Sequence, residues 1–406
     1  MPATASSPAR TAAPAPPAAV PALWLALLAT PTAVGANAPT LILPAMGSDL
    51  GVSTATVTWL VTTFAWGMAV GTPLMAGFLR LRGAAATLRW STALVLAGTL
   101  TASLSPWLPL LLAGRAAQAF GGAGLIAVAM NLAAGAPRRM GVISSGFGVL
   151  GACGPLAGQL LASEVSWRLS LALSALSLLA VPAVHRYVRG APRPAGETFD
   201  GRGAALLLAF ASALVLLPMA PLPAIAAALP SAALLARHLR HRPDGFLPAV
   251  LVRSRAFLTA AGVALTLSTS YFTLLFAVPR LMQDRSAWST GAVGTGQLVA
   301  LLTGAALSWL LAAASPRLGR PAVYATLLGL GALAATAAAT ASAPALLLGA
   351  AALAVLAATG SNAILSGYAA GTAPAAQRPA AIGVFVLFYQ LGGALGPAAA
   401  ALLVPA

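Results

Sequence analysis

Reactive side chains are scarce in this sequence, and their positions exclude more chemistry than they permit. The acidic residues are Asp49, Glu164, Glu197, Asp200, Asp244 and Asp284, and the histidines are His185, His238 and His241. A nucleophile with its base, a metal cluster or paired carboxylates would have to converge among the apolar runs. These residues lie instead at the ends of such runs or between them, so neither an enzyme nor a bound metal or cofactor is expected. Cys153, the one cysteine, forms no internal disulfide. The basic residues are all arginine, so a phosphate-cradling loop ending in Gly-Lys-Ser/Thr, and with it an ATP-driven pump, is excluded unless a partner supplies one.

What remains is hydrogen-bonding chemistry inside the apolar runs. The polar residues there are Asn37, Arg115, Gln118, Asn131, Tyr271, Gln297, Asn362, Tyr389 and Gln390, the candidates for substrate binding or coupling. For any single amide or tyrosine, an interhelical hydrogen bond worth about 0.6 kcal/mol is the simpler role. Arg115 differs because it is the one formal charge within a run. It lies eight residues past Trp107, roughly 12 Å along a helix axis, and Gln118 three residues on shares its face. Proton relays in membranes are normally built from buried Asp, Glu or His. With none expected here, proton coupling would have to use Arg115 with an outer carboxylate, or the substrate itself.

The elements that position these residues follow from composition. The chain of 406 residues is 59% hydrophobic and 7% charged, with mean hydropathy +0.91. A soluble domain averages about 25% charged residues, so this chain is built for a lipid bilayer. The net charge of +16 does not point to nucleic acid, because the arginines fall between apolar runs and form no basic face on a soluble module. At about 20 apolar residues per span, spans are predicted over 21–46, 56–78, 86–105, 107–134, 139–163 and 167–185. A shorter pair follows at 203–217 and 220–236, then 256–280, 289–314, 321–341, 343–371 and 379–404. This is an all-α polytopic membrane protein of about thirteen transmembrane helices. Trp90, Trp107, Trp167 and Trp288 lie at span ends and read as interface anchors.

Arginine placement sets the orientation. With the N-terminus cytoplasmic, Arg10, Arg80, Arg82, Arg89, Arg138, Arg139, Arg186, Arg189, Arg193, Arg202, Arg237, Arg240, Arg242, Arg253, Arg255, Arg317, Arg320 and Arg378 fall inside. Arg168, Arg280 and Arg285 fall outside. Removing one helix of the short pair would reverse every later loop, so both cross or neither does. The first 20 residues lack an apolar period and read as a disordered cytoplasmic tail. Ala36-Asn37-Ala38 resembles a signal-peptide cleavage site, but the apolar run continues to Met46, so an uncleaved first span is expected.

Two Gly-Pro pairs interrupt apolar runs. GACGPLAGQLL contains Gly151, Gly154, Pro155 and Gly158, and GGALGPAAAALL contains Gly393, Gly396 and Pro397. At the same offset Gly141-Val142 matches Gly383-Val384. Small residues also serve close helix packing, but a repeated helix marks a chain assembled from duplicated halves. On these residues the chain resembles the major facilitator superfamily, and within it the 14-helix drug/proton antiporter branch. Gly151, Gly154, Pro155 and Gly158 match the fifth-helix motif, with Gln159 in place of its last glycine. Arg115, Gln118, Gly121 and Gly122 match the fourth-helix motif, and Trp167-Arg168 fits the position after the fifth helix. Between spans two and three, AGFLRLRGAAATL keeps Arg80, Arg82 and Gly83 but lacks the family's aspartate.

The resemblance implies two pseudo-symmetric bundles flanking a central pair: 21–188, a linker with the pair over 189–255, and 256–406, the last one helix short of its counterpart. It implies a hinge at the Gly-Pro helices and a monomer in the plasma membrane. It also implies secondary export of a small apolar or amphipathic drug or metabolite, with protons as a further candidate partner. The rival readings are a decayed, non-transporting or sensor membrane protein and, below it, a membrane-embedded enzyme.

Overall fold

The computed structural model describes residues 20–134, 136–188, 200–218, 220–243, 245–285, 288–374 and 377–403. The expected N-terminal tail up to residue 19, Arg189, Arg193, Glu197 and Asp244 lie outside the described residues. Among those described there is no strand. This follows from a chain with long apolar runs, because in hydrocarbon every backbone N–H and C=O must be satisfied within its own segment.

In chain order the α-helices are α1 (Ala22–Ala29), α2 (Pro31–Asn37), α3 (Leu43–Leu50), α4 (Thr54–Val57), α5 (Trp59–Leu104), α6 (Leu108–Ala133) and α7 (Pro137–Glu164). Then come α8 (Trp167–Ser170), α9 (Val181–Val188), α10 (Gly201–Leu216), α11 (Pro221–His241) and α12 (Ala249–Arg253). The last five are α13 (Arg255–Arg285), α14 (Thr290–Ala314), α15 (Arg320–Thr340), α16 (Pro344–Ala370) and α17 (Arg378–Leu403). Nine helices among the described residues are long and apolar enough to cross a membrane. The broken first span, the two spans joined in α5, and the shorter helices Leu173–Val188 and Gly201–Leu216 make a total of about 13 plausible.

The structure departs from regular spans at three places. The first span breaks, with 71° between Ala22–Leu41 and Leu43–Leu50. Its middle is a 3₁₀ segment, Ala38–Leu41, where Pro39 and then Pro44 withhold backbone donors. The sequence places a loop between spans two and three; the connection there is short, and two helices, both within α5, meet at a sharp break. The reversal rests on Gly83, whose φ of 77° and ψ of 170° are open essentially to glycine alone. The sixth span is mostly a 3₁₀ segment, Leu173–Ala180, between α8 and α9. Its tight turn carries Ser174 against α2, where a Cβ on Gly35 would lie 2.8 Å from the Ser174 backbone nitrogen.

Two pseudo-symmetric bundles result. In the N-terminal bundle α7 packs on the first span; in the C-terminal bundle α17 packs on α13. The bundles meet along α5 against α17 and α7 against α14. At the arginine-poor face one continuous core joins both: Leu41, Met46, Leu60 and Trp167 cluster with Tyr271, Leu275, Val293 and Leu301. Toward the arginine-rich face the burial divides into two cores, one of which still bridges the bundles through α5. Leu25, Leu28, Leu125, Val128 and Val184 form one within the N-terminal bundle. Phe257, Leu267, Leu327, Leu365 and Phe385 form another, which takes Ala69 and Val70 from α5 and Leu207 and Ala211 from α10.

The central pair α10 and α11 lies beside this second core. Trp66 Nε1 donates to Ser212 Oγ at 2.8 Å, and Trp66 stacks edge-on against Phe120 at 5.8 Å. A narrow apolar crevice runs between α10 and α5 with α17, bordered by Pro73, Leu74, Leu208 and Leu387. Asp200 ties down the arginine-rich end. Its carboxylate caps α10 at Gly203 N (3.0 Å) and accepts from Phe246 N (3.0 Å), and it pairs with His238 Nε2 at 2.8 Å.

Candidate polar site between the bundles

The Gly-Pro helix α7 is glycine-rich because the broken first span presses into it. A Cβ on Gly154 would lie 2.7 Å from that of Asn37, and one on Gly158 would run into the Ala38 carbonyl. Gly151 leaves ordinary room, its nearest neighbour being Asn37 Nδ2 at 3.7 Å. α17 repeats the pattern on α13: a Cβ on Gly392 would lie 2.7 Å from the Leu265 carbonyl, and one on Gly396 would run into Phe272. Pro155 and Pro397 are both buried within continuous helices. Glycine therefore serves as a packing surface at these positions. The hinge expected of Gly151, Gly154, Pro155, Gly158, Gly393, Gly396 and Pro397 would have to act through it.

This close approach positions a polar cluster. Asn37 Nδ2 donates to the Gly151 carbonyl at 2.9 Å, across the first span and α7. Asn37 also lies beside the Tyr271 hydroxyl, which belongs to the other bundle. Tyr389 neighbours Tyr271 and packs against the cores at both faces. Its backbone carbonyl accepts from Ser268 Oγ at 2.7 Å, which fixes α17 on α13. Gln297 of α14 is fully buried and donates from Nε2 to the Leu275 carbonyl at 2.8 Å, while its Oε1 has no donor.

Four of the residues singled out from sequence, Asn37, Tyr271, Tyr389 and Gln297, thus gather where the bundles meet. Asn362 and Gln390 are half-buried on α16 and α17 and form no hydrogen bond with them. Asn131 is exposed near the end of α6. Gln159 is the residue that the sequence marks solely as a departure from a glycine motif. Its Oε1 is buried without a donor, 3.9 Å from where a Cβ on Gly294 of α14 would sit.

Arg115 and Gln118 occupy a different place. Arg115 is fully buried inside the N-terminal bundle and donates from Nε to the Leu60 carbonyl (3.4 Å) and from Nη2 to the Gly35 carbonyl (3.2 Å). Nη1 donates to Gln118 Oε1 at 3.0 Å, and the guanidinium lies 4.1 Å from the Phe64 ring centroid. Gln118 Nε2 in turn donates to Thr99 Oγ1 (3.0 Å) and the Leu171 carbonyl (2.9 Å). The pair pins spans one, two, three, four and six together. Carbonyl oxygens and an aromatic face support the charge, a role suited to a planar, weakly hydrated fork.

A second anchor lies at the arginine-poor face. Trp167, expected as an interface anchor, is instead buried and donates from Nε1 to Asp49 Oδ2 at 3.0 Å. Arg168 pairs with the same oxygen at 3.5 Å and lies over the Trp167 ring at 4.4 Å. The indole has a carboxylate within reach and so turns inward. Trp107 and Trp288 are exposed at helix ends, as interface anchors are, and Trp90 is exposed within α5 about two turns past the Gly83 break.

Comparison with known proteins bears on the whole architecture. The family model described as Major Facilitator Superfamily matches residues 23–397. A chloramphenicol resistance protein from Streptomyces lividans is 30% identical over 157 residues, 37% of this chain and 40% of that protein. The MFS transporter L2 of a Phoma species is 30% identical over 152 residues, 36% of this chain and 25% of that protein. Each match thus covers less than half of the relative's length. Among solved structures, a peptide transporter POT in complex with alafosfalin superposes with a TM-score of 0.66 at 16% identity, covering 95% of this chain and 88% of that one. At that identity the likeness is one of fold.

Proposed function

The chain belongs to the major facilitator superfamily, and from that premise we propose that it is a secondary active exporter working by alternating access. The observation that carries this reading is the uneven joining of the bundles. They share one core at the arginine-poor face, while toward the arginine-rich face the N-terminal bundle also keeps a core of its own and the C-terminal core reaches it through α5. A transporter resting with one side sealed has this arrangement, and rocking of one bundle on the other would exchange the open side.

In this reading the chain divides at about 189 and 255 into two bundles and a central linker, as the sequence suggests. It sits as a monomer in the plasma membrane with its N-terminus cytoplasmic. Asn37, Tyr271, Tyr389 and Gln297 contact the substrate. Arg115 and Gln118 hold the N-terminal bundle rigid as it rocks. The substrate is a small apolar or amphipathic drug or metabolite, because the surroundings of the cluster are apolar and offer too few polar groups to hold a sugar. Chloramphenicol, after the Streptomyces lividans relative, is the first compound to try.

The test is uptake of chloramphenicol and a panel of other amphiphiles into inverted vesicles carrying the full chain, with and without an imposed pH gradient. Uptake above that of empty vesicles is expected, and its dependence on the gradient reports proton coupling. No uptake of any compound under either condition would sink the reading. It would favour a non-transporting or sensor protein, the alternative that the missing intramembrane carboxylates support. An embedded enzyme ranks below both, since the acids and histidines of the sequence fall at the ends of the apolar runs or between them.

A further inference from the structure

The seam between α7 and α14 holds buried acceptors that lack donors. Gln159 Oε1 and Gln297 Oε1 are both shielded from solvent and unpartnered. Gly294 lies one turn before Gln297 on α14, and a Cβ there would meet Leu41 Cδ1 at 3.1 Å, Leu156 Cδ1 at 3.2 Å and Gln159 Oε1 at 3.9 Å. Residues three apart share a helix face, so the two amides approach the same seam from opposite bundles. Asn37 and Tyr271 border it, since Gly154 and Gly158 of α7 pack on Asn37 and Ala38, and Gln297 bonds to the Leu275 carbonyl one turn beyond Tyr271.

An amide oxygen buried without a donor is destabilising, and a native protein keeps such a group where something else satisfies it. The serine and threonine oxygens that share this condition, at Thr32, Ser91 and Ser174, belong to the N-terminal bundle and press on its glycines. Gln159 and Gln297 differ in two ways. Gln159 reaches across to α14 one turn from Gln297, at the surface along which the bundles would move, and Gln297, although its Nε2 ties α14 to α13, leaves its Oε1 unused. Gln159 moreover stands where the family motif has a glycine, so its side chain is an addition to this seam.

We propose that Gln159 and Gln297 form a recognition pair that accepts hydrogen bonds from the N–H or O–H groups of a neutral amphiphilic substrate. This rests on the transport reading and narrows its substrate class. Neutral charge follows from the surroundings. Among the described residues, the carboxylates and histidines lie at helix ends or in connections, while Arg115 adds a positive charge to the N-terminal bundle. The two amide oxygens themselves offer a cation no full counter-charge, whereas they satisfy an amide or hydroxyl donor.

Three probes test the pair on the full chain reconstituted in lipid nanodiscs: octanamide, its donor-free counterpart N,N-dimethyloctanamide, and octyltrimethylammonium. Octanamide is expected to bind about tenfold tighter than the dimethyl amide, the effect of a hydrogen bond made in a buried site. The cation should bind more weakly than either. Gln159→Leu and Gln297→Leu should each shrink the preference for octanamide and together abolish it, while a single cooperative thermal transition of each variant certifies the fold. Equal binding of the two amides to the native chain, no binding of any probe, or an unchanged preference in both variants would overturn the proposal. Vesicle uptake separates the two readings. Uptake without donor preference removes the recognition pair alone, and donor preference without uptake removes the transport reading alone.

Discussion

Gly154 of α7 and Asn37 of the broken first span are packed so that a Cβ on the glycine would lie 2.7 Å from that of the asparagine. The same asparagine donates to the Gly151 carbonyl and meets Tyr271 of the other bundle. Close helix packing and the polar cluster between the bundles are therefore one arrangement. Substituting the glycine should disturb both.

Gly158→Ala should accordingly cost about 1–3 kcal/mol, as overpacking against rigid backbone does, and should depress transport. Gly151→Ala should be neutral or stabilising by up to about 1 kcal/mol, because that site has ordinary room and alanine is the better helix former. Thermal unfolding of the two purified variants makes the comparison. Equal melting temperatures would show that contact with the first span does not govern the choice of glycine.

Arg115 leads to a second expectation. Arg115→Ala would leave the Gly35 and Leu60 carbonyls without their donor and open a space beside Phe64. A loss of about 3–5 kcal/mol is expected, in line with breaking a buried charged network. Arg115→Lys should retain part of this, since an ammonium reaches one acceptor but cannot span three. Retained melting temperature with lost transport in both variants would assign Arg115 to coupling and not to the frame.

Much of this was legible in advance, and the gaps have physical causes. The runs predicted as spans map onto helices because a bilayer forces apolar length and self-satisfied backbone together. The repeated Gly-Pro helix shows as a repeat in the sequence, and Asn37, Tyr271, Tyr389 and Gln297 stand out there only as four of nine candidates, because polar residues are rare in such runs. Three things were not legible. The direction in which Arg115 points depends on which backbone carbonyls the breaks near Gly35 and Pro39 free. Asn131 looks intramembrane by hydropathy but ends a helix in the open. Gln159 carries its signal in a missing donor, which no linear pattern displays.

The node at Asp200 makes a prediction about acid. Burial raises its pKa, but hydrogen bonds from Gly203 N, His238 and Phe246 N outweigh that and hold it below the usual carboxylate value. A carboxylate depressed on folding stabilises above its unfolded pKa, and that stabilisation fades as pH falls through the folded value. The central pair should therefore loosen below the ordinary carboxylate range, read as faster proteolysis around Phe246. Asp200→Asn should weaken this pH dependence and Gly203→Ala, which would crowd the carboxylate, should make cleavage faster at neutral pH. An identical pH profile in native and Asp200→Asn chains would remove Asp200 from this role.

The seal at the arginine-poor face can be tested through Leu156 and Gly294. A Cβ on Gly294 lies 3.2 Å from Leu156 Cδ1, so cysteines at both positions would stand within reach of a short bifunctional thiol reagent across α7 and α14. The native Cys153, three residues before Leu156 on α7, must first become serine so that it does not compete. If the bundles rock, fixing this seam holds the chain in its present conformation. Cross-linking should then stop uptake into vesicles, and a reducible linker should restore it when cleaved. The single-cysteine chains control for labelling alone and should transport in the presence of the reagent. Efficient cross-linking without any loss of uptake would mean that the bundles do not part along α7 and α14, and that substrate passes by another route.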